Sequence, residues 1–550
     1  MKKALKFFGW LLGALAVLLL VLIVHIRSVA TVDDPVITSD SSSVNIENRN
    51  GLFTLNQSWF RQSESGLYEL YVEGKPFERG QAIGKLTKPL IRYQEEVFNA
   101  QIRQLVPSKA YLDVLKYFVG WFNRDLDESV PQEFREEIYG VSRVASHEFD
   151  FIAPPYHRML NYHAAHDIGH ALQNMALVGC TAFATWGDKS EDSTLIIGRN
   201  FDFYVGDDFA KNKIVAFYAP DQGHKFMMVT FGGMTGVLSG MNDHGLTVTL
   251  NAAKSEIPTS SATPVSLLAR EILQYASTIE EAYTIARKRK TFVAESFLIG
   301  SAKDKRAAII EKSPEALDIF ETNGNYIIGT NHFQSKTLGL TELNQAHMKT
   351  SASVYRFDRV KQLLNATPKN SVAATASILR NQKGLNDADI GLGNEKAVNQ
   401  LIAHHAIIFQ PEKQLVWIST SPWQLGKFVC YDLKKVFELN LDQNREVNEP
   451  ALTIPEDPFL TTAGFDNILK FNQYRFPFQP RKGFNADSLI SWNPNSYLAY
   501  MLAGDEYFKN EDFAKAIAAF EKGLQKEVAT EHERAHMLER LEEARKRVLE

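Results

Sequence analysis

The chain has 550 residues, of which 45% are hydrophobic, and its 60 basic residues against 65 acidic residues leave a formal charge of −5 at pH 7. This composition can form a large core, and the lack of a basic surplus argues against nucleic acid as a partner. Only two cysteines are present, so a framework of several disulfides is excluded. The length predicts more than one domain, because single cores rarely grow this large.

The first 30 residues predict a signal anchor. Three lysines among the first six residues precede an apolar run from Phe7 to Val24, which is typical of a targeting segment. The run is long enough to cross a bilayer as a helix, and the lysines favour a cytoplasmic N-terminus. We therefore expect residues 1–30 to anchor the protein in a membrane with the remaining chain on the extracytoplasmic side. If the segment is cleaved, we expect a secreted protein.

A linker and a helical segment are expected next. Residues 31–50 are rich in Asp, Ser and Thr without a clear period, which is typical of a linker. In residues 51–179, apolar positions recur at helical spacing at 90–115 and again at 131–144. We predict that residues 51–179 are mostly helical.

Short strands dominate residues 180–447. Stretches rich in β-branched and aromatic residues alternate with Gly, Asp, Asn and Lys turns, and we expect the first six strands to form an antiparallel meander. Helical spacing predicts helices at 264–275, 279–289, 351–366 and 371–382. Strands and helices in this order predict a layered α+β domain.

The C-terminal part changes in character. Residues 448–490 form a connector with several prolines, and residues 491–550 contain a stretch that resembles one tetratricopeptide unit. A single unit cannot bury its own apolar face. We therefore expect it to pack against the preceding domain or to bind a protein partner, with an ordinary helical hairpin as the alternative.

The histidines do not complete a metal motif. His166 and His170 have the spacing of two ligands on one helix face, but no carboxylate or cysteine set accompanies them. His244 lies in Asn-Asp-His-Gly, which is typical of a turn. We predict neither a metal nor another cofactor.

The dipeptide Gly179-Cys180 is the strongest chemical signal in the chain. A cut before Cys180 would place a thiol and a free α-amine on one residue, which joins a nucleophile to its own general base. The two groups titrate near ~8.5 and ~7.7–8.0, which suits proton transfer at neutral pH. Gly179 has no side chain to block attack of the thiol on its carbonyl. These features predict self-cleavage between Gly179 and Cys180.

Two polar residues follow the cysteine closely. Arg199 can hold a thiolate or a substrate carboxylate with its forked donors, and Asp202 can anchor and orient the new ammonium group. The alternatives are ordinary ones. Cys180 can be a small buried hydrophobe or can form a disulfide with Cys430, and the two polar residues can be a surface ion pair.

The order of the motifs resembles a known enzyme group. GCTAFATWG, IIGRNFDF, SGMNDHGLTVTLNAA, IIGTNHF and SASVYRFDR follow one another between residues 179 and 360. This order is similar to that of the peptidase C45 and acyl-coenzyme A:6-aminopenicillanate acyltransferase-like group of N-terminal-nucleophile hydrolases, which are relatives of the choloylglycine hydrolases. GKPFERGQAIGKL likewise resembles the start of that family's precursor segment. The resemblance implies a four-layer αββα sandwich.

The resemblance also implies six catalytic residues. They are the nucleophile Cys180, its polar partners Arg199 and Asp202, the oxyanion donor Asn251, the second polar contact Asn331 and the supporting arginine Arg356. Tyr355 replaces the serine that usually precedes this arginine in the family, and Arg359 lies close enough in sequence to take its position.

The residues and the resemblance together predict a self-processing N-terminal-cysteine hydrolase. It would cleave a C–N amide bond of a small acylated substrate through a thioester acyl-enzyme. An acyltransferase is the first alternative, because an amine can replace water in the second half of the same reaction. The second alternative is a non-catalytic, membrane-tethered assembly protein that binds partners through the tetratricopeptide-like segment.

Overall fold

Two β-sheets form the centre of the protein, as seen in a computed structural model. The structure describes residues 2–29, 32–37, 45–105, 108–172, 179–204, 206–256, 258, 260–438, 446–476 and 484–549. The strands are, in chain order, β1 (Glu47–Arg49), β2 (Leu52–Leu55), β3 (Ser58–Gln62), β4 (Tyr68–Gly74), β5 (Thr181–Thr185), β6 (Ile196–Phe201), β7 (Ile214–Pro220), β8 (Phe226–Thr230), β9 (Ser239–Asn242), β10 (Leu246–Ala252), β11 (Glu295–Ser301), β12 (Arg306–Lys312), β13 (Leu317–Phe320), β14 (Tyr326–Gly329), β15 (His405–Gln410), β16 (Leu415–Ser419) and β17 (Phe428–Asp432).

The helices surround these strands. They are α1 (Lys2–Val29), α2 (Pro76–Leu86), α3 (Lys88–Leu105), α4 (Lys109–Phe122), α5 (Gln132–Ser142), α6 (Pro155–Leu172), α7 (Val265–Tyr275), α8 (Ile279–Lys288), α9 (Glu342–Thr350), α10 (Ser353–Ala366), α11 (Val372–Leu379), α12 (Leu433–Glu438), α13 (Ala463–Arg475), α14 (Ala486–Trp492), α15 (Tyr497–Lys509), α16 (Phe513–Leu524) and α17 (Glu531–Leu549). The four helices predicted between residues 264 and 382 are confirmed. Thr278 caps α8, because its hydroxyl accepts a hydrogen bond from the Glu281 N–H at 3.2 Å.

The larger sheet has eleven strands in the order β1-β2-β3-β4-β7-β8-β9-β10-β11-β12-β13, and the smaller has six in the order β14-β5-β6-β15-β16-β17. Neighbouring strands are antiparallel except β4 and β7, which pair in parallel from Tyr68 opposite Ile214 to Gly74 opposite Pro220. The larger sheet therefore joins strands from both sides of the predicted cleavage point.

Three buried clusters show how the sheets and helices are layered. The first lies between the two sheets and includes Ile197 and Ile407 from the smaller sheet with Phe217 and Leu298 from the larger one. The second packs helices α2, α3 and α5 to α8 on the outer face of the larger sheet. The third packs α10 and α11 on the outer face of the smaller sheet. The predicted mixture of helices and sheets is confirmed.

Residues 51–179 are mostly helical, as predicted, but they begin with strands that the sequence analysis did not predict. β2, β3 and β4 fill the first part of this segment, and β1 lies in the predicted linker. Asn50 and Gly51 have positive φ values of 53° and 86°, which suits the turn between β1 and β2. Aromatic and aliphatic residues of β3 and β4 are buried against the rest of the sheet, and the helical spacing that the prediction rested on begins only at residue 90.

The expected single meander after Cys180 was wrong. β5 and β6 lie in the smaller sheet, whereas β7 to β10 lie in the larger one. Nearly all residues of these strands are buried, so their apolar pattern marks strands without indicating which sheet they join. The chain crosses from one sheet to the other between β6 and β7.

The N-terminal segment is helical as α1. Among the residues that the structure describes, no helix combines the length and the apolar character needed to cross a membrane, so the predicted transmembrane helix is not found. The extracytoplasmic location stays a prediction.

The C-terminal helices pack against the loop that precedes β15. Asn394 Nδ2 donates to the Glu527 carbonyl at 2.8 Å, and Lys396 Nζ pairs with the Glu527 carboxylate at 2.6 Å. α15 and α16 approach closely at Gly504, where a Cβ would lie only 2.5 Å from the Phe520 ring. The tetratricopeptide-like character and the predicted domain boundaries stay predictions.

Candidate active site

The pairing of β5 with β6 brings the predicted cleavage point to the polar residues that follow it. Thr181 lies opposite Asn200, so the register continues with Cys180 near Phe201 and Gly179 near Asp202. The Gly179 N–H donates to the Asp202 carbonyl at 2.9 Å, as this register requires. Two strands joined by a short connection therefore bring together motifs that are about twenty residues apart in sequence.

The peptide of the predicted cut is held on both sides. Besides the Gly179 N–H bond to Asp202, the Gly179 carbonyl accepts a hydrogen bond from Gln400 Nε2 at 2.6 Å. The Cys180 side chain is buried, and its Sγ lies 3.9 Å from the Asp202 carbonyl oxygen. The nucleophile and the carbonyl that it would attack are thus ordered by the surrounding structure.

Arg199 brings a positive charge to the thiol. Its Nη2 lies 3.8 Å from Cys180 Sγ and donates to the Leu250 carbonyl. Its Nη1 donates to Ser239 Oγ at 2.5 Å and to the Leu238 carbonyl at 3.3 Å. The guanidinium therefore bridges from the smaller sheet to β9 and β10 of the larger sheet.

Burial controls the protonation of the Cys180 thiol. It raises the pKa of Cys180 to about 11, although Arg199 acts in the opposite direction. The carboxyls of Asp202 and Glu295 raise this pKa further. The thiol is therefore neutral at pH 7 while the Gly179-Cys180 peptide is intact, and an α-ammonium released by cleavage would favour its thiolate.

Asp202 presents a buried carboxyl with unused hydrogen-bonding capacity. Neither oxygen has a hydrogen-bond partner among the described residues. Burial raises the pKa of Asp202 to about 7, although Arg356, Arg199 and Arg475 lower it. A buried carboxyl without donors is unfavourable, and a new ammonium group nearby would supply them. This chemistry fits the predicted role of Asp202.

Asn251 lies on β10, next to the carbonyl that accepts from Arg199. Its Nδ2 donates to the Gly329 carbonyl at 3.0 Å and to the Thr330 carbonyl at 3.2 Å, while its Oδ1 has no partner among the described residues. Both amide hydrogens face backbone carbonyls in this arrangement. Donation to an oxyanion therefore requires Asn251 to exchange one of these bonds, and its role stays a prediction.

Asn331 and Arg356 contact each other directly. Arg356 Nη2 donates to Asn331 Oδ1 at 2.5 Å, and Asn331 Nδ2 donates to the Ala252 carbonyl at 2.9 Å. Burial lowers the pKa of Arg356, and the charges of Asp202 and Cys180 raise it, which places this arginine beside the site. Arg359 instead bonds to Asn381 and Asp387. The geometry thus favours Arg356 over Arg359 as the supporting arginine.

Three buried groups near the site were missed from the sequence. Gln400 contacts the Gly179 carbonyl across 221 residues of chain. Glu295 is buried without a hydrogen-bond partner for either oxygen among the described residues, and burial raises its pKa well above the usual range. His405 Nε2 lies 2.9 Å from Ser239 Oγ, and burial lowers its pKa. Such contacts between distant segments leave no local signal in the sequence.

A cavity of about 60 Å³ lies near the site, and phenylalanine and tyrosine supply six of its lining residues. Its lining includes Phe98 and Tyr162 from residues 51–179 and Phe201, Phe203, Phe209 and Phe231 from the following strands and loops. The Arg199 guanidinium lies 4.3 Å from the centre of the Phe201 ring. The cavity therefore offers an apolar, aromatic space next to the polar residues of the site.

One group of three potential metal ligands occurs within the described part of the chain. His224, Asp243 and His244 place one ligand atom each within 4.8 Å of one another. His244 lies in the turn between β9 and β10, as predicted, and its Nδ1 is 2.8 Å from Asp243 Oδ1. The prediction that the protein uses no metal is not tested by this geometry.

Curated relatives share about half of the chain. An uncharacterized protein from Archaeoglobus fulgidus is 26% identical over 274 residues, which cover 46% of this chain and 44% of the relative. Protein dcd1B from Dictyostelium discoideum is 21% identical over 271 residues, covering 46% and 51%. Acid ceramidase from Rattus norvegicus is 22% identical over 338 residues, covering 54% and 80%. The chain spans about half the length of the first two relatives.

Solved structures with similarity to the chain include two hydrolases. The Caenorhabditis elegans N-acylethanolamine-hydrolyzing acid amidase ortholog has a TM-score of 0.30 and 17% identity, covering 42% of this chain and 93% of that one. A conjugated bile acid hydrolase from Clostridium perfringens has a TM-score of 0.32 and 15% identity, covering 49% and 96%.

A family model supports the resemblance that the motifs indicate. Residues 189–420 match the model described as acyl-coenzyme A:6-aminopenicillanic acid acyl-transferase. The matched range begins after Cys180 and contains the other five predicted catalytic residues. The predicted resemblance to this family of N-terminal-nucleophile hydrolases and acyltransferases is therefore confirmed, with the match covering residues 189–420.

Proposed function

We propose that the protein is a self-processing N-terminal-cysteine hydrolase that cleaves a C–N amide bond of a small acylated substrate. The main support is the Gly179-Cys180 peptide, which hydrogen bonds hold on both sides while Arg199 lies 3.8 Å from the thiol sulfur. A structural cysteine in an apolar core needs none of these polar contacts. The family match supports the same class of chemistry.

Maturation creates the catalytic group. The Cys180 sulfur attacks the Gly179 carbonyl carbon, and the thiol proton passes to the Cys180 nitrogen as the C–N bond breaks. This step leaves a thioester and a free α-amine. Water then hydrolyses the thioester, which releases Gly179 as a carboxylate and restores the thiol.

Turnover repeats this chemistry on a substrate. The α-amine accepts the thiol proton, the sulfur attacks the substrate carbonyl, and the proton passes to the leaving amine. Arg199 stabilises the thiolate, and Asp202 orients the α-ammonium group. Asn251 donates to the oxyanion after exchanging one of its bonds to the Gly329 and Thr330 carbonyls, while Arg356 positions Asn331 through the bond to its Oδ1.

The aromatic cavity suggests the kind of acyl group that the enzyme accepts. Its phenylalanine and tyrosine side chains favour an apolar group, since burying apolar surface is favourable, and at about 60 Å³ the cavity would have to widen to hold an acyl chain. The sequence relative named acid ceramidase makes a ceramide one reasonable substrate to assay. The proposed location, on the extracytoplasmic side of a membrane, rests on the N-terminal signal alone.

An acyltransferase is the second candidate, because the matching family is described by an acyl transfer reaction. The acyl-enzyme is the same in both cases, and only the second acceptor differs. Product analysis with an N-acyl substrate in the presence of a competing amine distinguishes the two. Transfer that dominates over hydrolysis would favour the acyltransferase. A chain that stays uncut and inactive would favour a tethered assembly protein.

Intact mass and N-terminal sequencing of the purified full chain test the proposal. We expect one fragment to begin Cys-Thr-Ala-Phe, because the cut precedes Cys180. Cys180→Ala should remain full-length, since it lacks the nucleophile, and Cys430→Ala is the matched control and should cleave normally. Efficient cutting of Cys180→Ala at the same bond would show that another protease makes the cut.

A further inference from the structure

We propose that Gln400 is a catalytic residue for self-cleavage, whose side-chain amide stabilises the oxyanion that forms on the Gly179 carbonyl. This inference rests on the proposed self-processing and adds the donor for its first step. Gln400 Nε2 already donates to the Gly179 carbonyl oxygen at 2.6 Å. Gln400 is only 2% exposed, so water does not compete for this contact.

The other groups of the reaction are also held in place by the surrounding structure. The Gly179 N–H is held by the Asp202 carbonyl at 2.9 Å, and the Cys180 sulfur lies 3.9 Å from that same oxygen. Arg199 Nη2 lies 3.8 Å from the sulfur. The nucleophile, the scissile peptide and the Gln400 donor are therefore positioned before the reaction begins.

The packing of Gly179 against Gln400 explains why a glycine precedes the cysteine. A Cβ at position 179 would lie 2.4 Å from Gln400 Nε2 and 2.5 Å from its Oε1. Any side chain here would push the amide away from the carbonyl. Glycine thus permits the close approach of the donor, in addition to leaving the carbonyl open to attack.

The first step places negative charge where Gln400 points. When the thiol sulfur bonds to the Gly179 carbon, the carbonyl oxygen becomes an oxyanion and its hydrogen bond from Nε2 strengthens. The thiol proton moves to the Cys180 nitrogen, and collapse of the intermediate breaks the C–N bond to give a thioester. Gln400 forms no covalent bond and keeps its protonation state. Its contribution is a neutral donor in a site shielded from water.

Other contacts hold Gln400 in place. Arg475 Nη1 donates to the Gln400 backbone carbonyl at 3.1 Å. The N–H of the preceding residue, Asn399, donates to the Asn381 carbonyl at 2.9 Å. A donor held by its own backbone needs little reorganisation during the reaction, and this is what effective oxyanion stabilisation requires.

The test is the rate of self-cleavage of the full chain made by cell-free synthesis, measured as loss of full-length protein with time. Gln400→Ala should cleave ~10²–10³-fold more slowly, the usual effect of removing one oxyanion donor. Gln400→Glu has nearly the same shape but, when ionised, cannot donate, so it should be at least as slow. Gln424→Ala is the matched control, because Gln424 is also buried but donates to the Leu379 carbonyl. It should cleave at the wild-type rate.

Thermal unfolding separates chemistry from folding. Each Gln400 variant is melted in a Cys180→Ala background, in which no chain can cut. A Gln400→Ala chain that unfolds close to its parent and cleaves slowly supports the proposal. Wild-type cleavage rates in both Gln400 variants would overturn it while leaving the proposed function intact. A wild-type chain that never cleaves would instead refute the proposed function, and this inference with it.

Discussion

At the scale of single residues, the site combines a buried nucleophile with a buried carboxyl that lacks hydrogen-bond donors. Cys180 is neutral in the uncut chain because burial outweighs the effect of Arg199 on its pKa. The Asp202 carboxyl nearby has no hydrogen-bond partner among the residues described. Cleavage would place the α-ammonium group of Cys180 beside the thiol and the Asp202 carboxyl. This positive charge would stabilise the ionised forms of both groups.

This arrangement predicts that Asp202 destabilises the uncut chain as the pH rises. Its folded-state pKa is raised from 3.8 to about 7, so above pH 3.8 the unfolded chain loses a proton that the folded chain retains. Stability is therefore lost between these two values. Asp202→Asn in a Cys180→Ala background should raise the unfolding temperature. The gain in the free energy of unfolding should be larger at pH 8 than at pH 5 by roughly 3 kcal/mol.

Thermal unfolding of the two chains at both pH values measures this effect. Asp466→Asn serves as the control, because Asp466 is exposed and a substitution there should produce no gain that grows with pH. A gain from Asp202→Asn that is equal at pH 5 and pH 8 would contradict a raised pKa for Asp202.

Residues close to the nucleophile in sequence could be predicted, whereas those brought there by the fold could not. Arg199 lies in β6, which pairs with β5, and Asp202 directly follows β6, so their closeness to Cys180 follows from one hairpin. Gln400 comes from an irregular loop with no periodic pattern, and its contact is made across 221 residues. Predicting it requires the arrangement of whole elements.

At the scale of elements, strands were easier to predict than their partners. Strands β5 to β17 occur where β-branched and aromatic stretches indicate them, but the crossing from β6 to β7 between sheets was not foreseen. Burial on both faces removes the alternation that would distinguish a sheet's inner face from its outer face. Strands β1 to β4 were missed because the helical pattern further along the segment dominated its interpretation.

The loop that carries Gln400 depends on the C-terminal helices. Arg475, the last residue of α13, donates to the carbonyl of Gln400 at 3.1 Å and also to that of Gly393. Glu527, which follows α16, contacts Asn394 and Lys396 in the same loop. The C-terminal segment thus supports the geometry of the cleavage point without touching the thiol.

We therefore expect Arg475→Ala to slow self-cleavage, but less than Gln400→Ala does. The variant loses two charge-assisted hydrogen bonds to the loop yet keeps the donor, and a loss of about 1.4 kcal/mol in the transition state corresponds to about a tenfold slower cut. Cell-free synthesis with a time course measures the rate. Lys470→Ala on the exposed side of the same helix is the control. Cleavage of Arg475→Ala at the rate of this control would show that the loop holds its shape unaided.

At the scale of the whole molecule, the predicted cut falls within a single folded unit. β4 precedes the cut and β7 follows it, yet they pair over seven positions in the larger sheet. The core on the outer face of this sheet is built from helices on both sides of the cut. Breaking one peptide bond between Gly179 and Cys180 leaves these contacts in place.

A buried ion network also connects the segment before the predicted cut to the segment after it. Glu137 on α5 accepts from Arg79 Nε at 2.8 Å and from Arg270 Nη1 on α7 at 3.2 Å. Burial raises the pKa of Glu137, but Arg270 and Arg79 outweigh it and hold the pKa below its usual value. The carboxylate is therefore ionised at neutral pH and connects a helix before the cut to a helix after it.

These contacts predict that the two fragments stay together after self-cleavage. The cleaved protein should elute from a size-exclusion column as one species in native buffer, although denaturing electrophoresis shows two chains. Guanidinium chloride should separate them. In Glu137→Ala, two buried arginines lose their carboxylate, which costs about 3–5 kcal/mol for a broken buried pair, so separation should need less denaturant.

Glu136→Ala is the matched control for this last experiment, because its carboxylate bonds to Gln132 on the same helix and not across the cut. The control should separate at the same denaturant concentration as the wild-type protein. If the fragment ending at Gly179 eluted alone in native buffer, the shared sheet and core would not be enough to hold the two fragments together. The precursor segment would then act only before cleavage, and the aromatic cavity, which Phe98 and Tyr162 help to line, would lose one wall in the mature enzyme.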